Sequence, residues 1–278
     1  MIEALAHDPA LVDARGVAHE AVSTAPRIVS LVPSLTELLC DLRLTAQIVG
    51  RTGFCVHPKE IVRAIPKVGG TKTVNLARLR ALEPTHVVVN IDENEKATVD
   101  EIARFVPHVI VTHPLRPLDN IELYRLLGGI FRREAEARSL VERFEEAWRE
   151  TTAETSAFPR EKVLYLIWKK PWMTVARDTY ISAVLAAVGW DTVPDTASAR
   201  YPEVALDKIL DSDVRYALLS SEPYPFRERD AAELARAVPK QVTVALIDAE
   251  MTSWYGPRAI AGLRYLAQFR RRLDGRAP

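Results

Sequence analysis

Histidines and tryptophans divide this 278-residue chain between them. Every histidine (His7, His19, His57, His86, His108, His113) precedes Asp119, and every tryptophan (Trp148, Trp168, Trp172, Trp190, Trp254) follows it. Imidazoles offer proton transfer or metal ligation. Indoles offer broad apolar faces that cover a flat ligand at little cost in rotamer freedom. In Trp168-Lys169-Lys170-Pro171-Trp172-Met173, two tryptophans enclose a proline and two lysines, and such a segment cannot point wholly into one core. It reads as a ligand-contacting loop, and Trp254-Tyr255-Gly256-Pro257 reads as a second one. The run Asn90-Ile91-Asp92-Glu93-Asn94-Glu95 is acidic. It suits a ligand- or cation-contacting loop, or a solvated helix start favoured by the dipole. His57 and His113 follow apolar runs and are candidate metal ligands. With Asp92 and Glu93 they would suit zinc or manganese. His86 and His108 begin such runs, at the opposite edge.

Known catalytic spacings are missing. Gly69-Gly70-Thr71-Lys72-Thr73 has the look of a phosphate loop, but Thr71 separates the glycine from the lysine and Ile65 stands where a glycine is needed. There is no GxGxxG after a strand, no GxSxG and no HExxH. The expectation is a binding protein and not an enzyme. Lys169 and Lys170 keep open the alternative of an enzyme acting on a small molecule.

These residues need elements to hold them. Residues 9–26 read as a hairpin turning at Gly16. RIVSLVP (27–33) reads as a buried strand, followed by an S-x-x-E capping box at Ser34 and a helix. Strands are expected over 48–52, 86–90 and 108–112, with helices over 58–64, after an Asn75 cap, and over 97–105. A helix over 119–131, interrupted near Gly128-Gly129, precedes one over 134–156. At about 1.5 Å per residue the latter is a rod of about 35 Å. The second half repeats the alternation. Strands fall at 162–168, 216–220 and 242–248. Helices fall at 179–188, capped by Asp178, and at 204–210, 227–237 and 256–269. Alternation of this kind implies mostly parallel sheets covered on both faces. The fold class is α/β, with an N-terminal lobe over 1–118, a connecting helical region over 119–158 and a C-terminal lobe over 159–278.

The bulk composition excludes several classes. With 37 basic and 37 acidic residues the formal charge is zero, which offers no general grip on nucleic acid or anionic lipid. Arg270-Arg271-Arg272 suits a solvated helix end. No run of about 18 apolar residues exists to span a membrane. The opening MIEALAHDPALVDARG lacks a basic segment and an apolar core, so a cytoplasmic location is expected, or a periplasmic one if a leader has been removed. Cys40 reads as a small buried hydrophobe, and Cys55 as a free thiol.

The segment Pro26-Arg27-Ile28-Val29-Ser30-Leu31-Val32-Pro33-Ser34 with Thr36-Glu37 carries a resemblance that continues through Val68-Gly69, Asn75-Leu76 and Ala81-Leu82-Glu83-Pro84 to Tyr201-Pro202-Glu203-Val204. Over residues 12–270 the chain resembles the cobalamin-binding and siderophore-binding proteins of ABC importers, the helical-backbone metal receptors. The resemblance implies two lobes joined by one long helix, a ligand held between them, and little lobe movement. It implies no covalent cofactor. The implied ligand is a metal-bearing macrocycle or chelate, with vitamin B12 nearest. The candidate contacts are Ser34, Phe54, Thr71, Lys72, Asp92, Glu93, His113, Trp168, Lys170, Trp172, Tyr201, Trp254 and Tyr255. In exported relatives a glutamate on each lobe pairs with arginines of the permease. The matching positions here hold Arg78 and Asp207, and an arginine facing an arginine would repel.

Overall fold

A computed structural model describes residues 11–206 and 213–275. Contacts divide the chain into two units. The first runs to Pro114 and resumes over Asn120–Glu142, and the second holds Leu115–Asp119 and the chain from Arg143 onward.

In the first unit, Val12 and Ala18 form an antiparallel bridge around Gly16, whose φ of 77° is the left-handed conformation that glycine adopts without strain. Four parallel strands follow: β1 (Ile28–Ser30), β2 (Ile48–Arg51), β3 (His86–Asn90) and β4 (His108–Thr112), in the spatial order β2-β1-β3-β4. Every residue of β3 is buried, because both sheet faces are covered. Val29, Val87, Val89 and Val111 share a core with Leu79, Val99 and Ile102 of the flanking helices. Burying each such side chain contributes about 1.5–3 kcal/mol.

Helix α1 (Pro33–Asp41) corrects the expected capping box. Proline occupies the first turn, so the extended Val32 is the cap and no side chain bonds the helix end. Proline's fixed φ suits that position, which moves Ser34 into the helix. Helices α2 (Lys59–Val62), α3 (Leu76–Ala81) and α4 (Lys96–Ile102) follow. Asn75 does cap α3, accepting from the backbone N–H of Arg78. Helix α5 (Asp119–Ile130) runs unbroken through Gly128-Gly129. The glycines serve close approach: a Cβ on Gly128 would lie 2.4 Å from that of Ala137, and one on Gly129 would lie 2.4 Å from Leu11.

Helix α6 (Glu134–Thr155) has 22 residues, about 33 Å of rise. Ala137, Leu140, Val141, Phe144, Ala147, Thr151 and Thr155 make one buried stripe at helical spacing.

The second unit repeats the design with β5 (Glu161–Leu166), β6 (Trp190–Thr192), β7 (Val214–Ser220) and β8 (Thr243–Ile247), all parallel, in the order β6-β5-β7-β8. Its helices are α7 (Tyr180–Ala186), α8 (Glu228–Ala237), α9 (Ala249–Ser253) and α10 (Arg258–Leu273). Two expectations are corrected here. Helix α7 is capped by Thr179, whose hydroxyl accepts from the Ser182 N–H, and not by Asp178. The segment after β8 is not one open loop, because Asp248 caps the short helix α9 ahead of Trp254. Strand β6 escapes sequence reading altogether. The helix expected over 204–210 falls mostly outside the described residues, as does Asp207.

Candidate functional site

Both sheets reverse strand order in the same way. The chain steps from the first strand to one side, then returns to place the third strand on the other. In open α/β sheets, loops part at such a switch point and leave a crevice at the strands' carboxyl ends, where ligands bind. The switch points are β1/β3 in the first unit and β5/β7 in the second.

At the first switch point, Asn94 does the positioning. Its amide donates to Leu31 O (3.3 Å) beyond β1 and to Thr71 O (3.0 Å), and its oxygen accepts from Asn90 N–H (2.9 Å). Three loops are thereby stitched together by one buried side chain. Lys72 reaches Asp92 O at 3.2 Å and pairs with Glu95 at 3.3 Å. His113 Nε2 lies 3.4 Å from Asp92 Oδ1. Phe54 is 63% exposed and approaches Gly70, while Gly53 N–H donates to Gly69 O at 2.7 Å. Thr71, Lys72, Asp92 and His113 thus gather around one strand end, with Phe54 beside the Gly70 loop and Glu93 in the same turn as Asp92. Ser34 sits just beyond β1, 3% exposed, and its hydroxyl has no hydrogen-bond partner among the described residues. An unmet buried hydroxyl is costly unless something binds it.

His57 lies on the loop after β2, beside Cys55. Among the described residues no three or more His, Cys, Asp or Glu side chains converge as metal ligands. Cys55 is a free buried thiol whose pKa burial raises, and it lies 3.2 Å from the Thr52 hydroxyl. Cys40 is also free. It is half-buried where full burial was expected, and desolvation pushes its thiol up to about 11, so neither is a nucleophile at neutral pH. His86 and His108 do occupy the opposite edge of the sheet, facing each other across β3 and β4.

At the second switch point aromatic rings replace the polar groups. Trp168 follows β5, remains 40% exposed and meets Tyr224 edge-on at 5.7 Å. Tyr224 follows β7 and contacts Phe226 at 4.7 Å, and Phe226 stacks on Trp172 with 4° between the planes. The Trp168–Met173 bridge folds this loop back on itself, and Met173 bridges on to Glu203. Lys170 and Tyr201 are exposed, Tyr201 to 38%. Trp254 and Tyr255 are different. They are 9% and 6% exposed, with Trp254 Nε1 3.4 Å from Glu222 Oε2, Arg258 over the indole at 5.0 Å, and Tyr255 against Tyr180. These two rings support the loop more than they face solvent.

Lys169, passed over as a site residue, is anchored by Asp230 (2.9 Å) and Glu233 (2.7 Å) of α8. The pairing raises the lysine's pKa and lowers that of both carboxylates. Asn94, Tyr224 and the Lys169 cluster were the residues missed. Asn94 and Lys169 lay inside loops that the sequence marks, and Tyr224 lies a few residues beyond a strand end, but their partners are far away in the chain.

Two parallel α/β units, each presenting polar or aromatic loops at its switch point, define a ligand-binding protein. The chain belongs to the periplasmic binding protein family, whose model matches residues 28–249. A vitamin B12-binding protein of Vibrio parahaemolyticus is 24% identical over 187 residues, 66% of this chain; the match spans 66%, just under two thirds, of that relative's length. An uncharacterized ABC transporter substrate-binding lipoprotein of Bacillus subtilis is 25% identical over 260 residues, 87% of this chain and 79% of the relative. Among solved structures, the periplasmic vitamin B12-binding protein of Vibrio cholerae superposes with a TM-score of 0.80 at 16% identity, covering 90% of this chain and 98% of that one. A periplasmic heme-binding protein in complex with two hemes gives 0.75 at 18% identity, covering 91% and 99%. At these identities the structures report the fold. No helix among the described residues is long and apolar enough to cross a membrane.

Proposed function

We propose that this protein binds a metal-bearing macrocycle, cobalamin or a related corrinoid or chelate, as the carrier of an ABC importer and without chemical turnover. The observation that carries the reading is the Trp168 indole, 40% exposed at the β5/β7 switch point and backed by Tyr224. An exposed indole held edge-on by a second ring is a preset apolar face for a flat ligand. The named ligand classes of relatives, vitamin B12 and heme, are of the same broad, flat kind.

The permease partner is the family's implied one. Arg78 is exposed on α3, so a permease face that accepts it would need acidic groups there. Direct binding of a transition-metal ion is the weaker reading: His113 and Asp92 approach each other, but His57 and Glu93 do not complete a ligand set with them.

Calorimetric titration with cyanocobalamin, hemin and zinc separates the readings. The proposal expects one-site binding of a macrocycle with a Kd in the low micromolar range or tighter. Zinc binding with neither macrocycle bound would overturn it.

A further inference from the structure

The loop that presents Trp168 also walls a second feature. Lys169, Lys170 and Tyr224 line a depression of about 530 Å³ with Arg229, Asp230, Glu233 and Arg236 of α8. Its charges do not balance. Four cations meet two carboxylates, and Lys169 occupies both carboxylates at 2.9 and 2.7 Å. Arg229 is left 3.9 Å from Asp230 with its side chain 82% exposed, and Arg236 bonds through Nε to Ala232 O. Lys170 and Arg236 form no ion pair among the described residues. Lys170 is exposed and has a backbone φ of 66°, an uncommon conformation for a residue other than glycine. The Lys169 bridge therefore acts as a floor that fixes the loop to α8, and it leaves three exposed cations around an open hollow.

Tyr224 joins this hollow to the aromatic face. The same ring lines the depression and meets Trp168 edge-on at 5.7 Å. We propose that the depression receives an anionic side arm of the ligand, a carboxylate or phosphate group carried by a ring lying on Trp168. This rests on the macrocycle reading above and narrows it to macrocycles with acidic substituents. Lys170, Arg229 and Arg236 are specificity residues in this scheme, and Lys169 positions the loop. Exposed ion pairs are individually weak, and three together amount to about tenfold in affinity.

The test uses one ring in four forms: cyanocobalamin, whose arms are amides and one of which carries a phosphodiester; dicyanocobinamide, which keeps the amides without the phosphate; dicyanocobyrinic acid, whose arms are carboxylates; and the heptamethyl ester of that acid. Each is titrated against the intact protein and against a Lys170→Gln, Arg229→Gln, Arg236→Gln triple variant, whose substitutions are all at exposed positions. The carboxylate form should bind about tenfold more tightly than the ester, and lose that advantage in the variant and in about 0.5 M sodium chloride. The affinities of dicyanocobinamide and the ester, which carry no anionic arm, should fall far less in the variant than that of the carboxylate form. Equal affinity of carboxylate and ester forms, together with equal affinity of cyanocobalamin and dicyanocobinamide, overturns the proposal and leaves the macrocycle reading standing, as does an equal loss for all four forms in the variant. A phosphate-only preference, shown by cyanocobalamin exceeding dicyanocobinamide about tenfold with loss in the variant, would assign the arm to the phosphate. If none of the corrinoids binds but hemin does, hemin against its dimethyl ester makes the same comparison; if no macrocycle binds, the macrocycle reading fails and the proposal fails with it.

Discussion

Lowering the pH should weaken the first unit through a single histidine pair. His86 opens β3 and is 7% exposed; it stacks on His108 of β4 at 4.6 Å and meets Phe131 edge-on. Its Nδ1 lies 2.8 Å from the Thr85 hydroxyl, and His19, itself 3.2 Å from Asp13, is the other imidazole nearby. Burial, and after it the neighbouring imidazoles of His108 and His19, lower its pKa from 6.5 to about 4. A histidine that resists protonation only when folded contributes stability that is complete above pH 6.5 and is lost as the pH falls toward 4. Moving from pH 7.5 to pH 5 should cost about 2 kcal/mol through this site, since each tenfold change in proton affinity is worth about 1.4 kcal/mol. Urea unfolding followed by circular dichroism at several pH values measures it, with His86→Gln as the reference that cannot titrate. The difference between the two proteins should shrink or reverse by about 2 kcal/mol over that interval. Parallel pH profiles would refute the reasoning, as would an imidazole proton signal of His86 titrating near 6.5 in the NMR spectrum.

Three further outcomes follow from the packing. Arg270 is fully buried in the second unit, bonded to Glu161 (2.5 Å), Asp274 (3.1 Å) and Pro159 O (3.1 Å), and its guanidinium lies over Trp190 and Tyr216. Arg270→Ala should cost about 3–5 kcal/mol, read by urea unfolding, because it strands two partly buried carboxylates. Gly128→Ala drives a methyl into Ala137 and should cost about 1–3 kcal/mol, seen as a lower Tm. Asn94→Ala removes the bonds that join the β1, Gly70 and β3 loops. It should cost about 1–3 kcal/mol in thermal unfolding and should also weaken ligand binding.

The strands were legible where composition leaves no choice. His86–Asn90 and His108–Thr112 are β-branched runs bounded by polar residues, and the structure places both strands there. Asn75 could be read as a cap because nothing competes with it. At Ser34 the capping signal was real but lost to Pro33, one residue earlier, which takes the first helical position. Strand β6 has only three residues, Trp190-Asp191-Thr192, and owes its existence to pairing with β5, which no local pattern encodes. Gly128-Gly129 signals a break in isolation, yet the helix continues because Leu11 and Ala137 press against it. The company of Trp168 and Trp172 in sequence marks a loop that cannot point wholly into a core, and the structure leaves Trp168 40% exposed. The Lys169 bridge to Asp230 and Glu233 spans 61 and 64 residues, and the Asn94 bond to Leu31 spans 63, so neither was visible before folding. Trp254 shared the sequence signature of Trp168 and turned out buried, because α9 carries it back against Glu222 and Arg258.

The most direct measurement is the affinity of Trp168→Ala for cyanocobalamin by titration calorimetry, beside the intact protein. Removing a partly exposed indole that covers a flat ring should weaken binding by about 1–3 kcal/mol, roughly 5- to 150-fold, with thermal stability nearly unchanged. Equal affinities for the two proteins would mean that the ligand does not lie on this face, and the account of the site would be wrong.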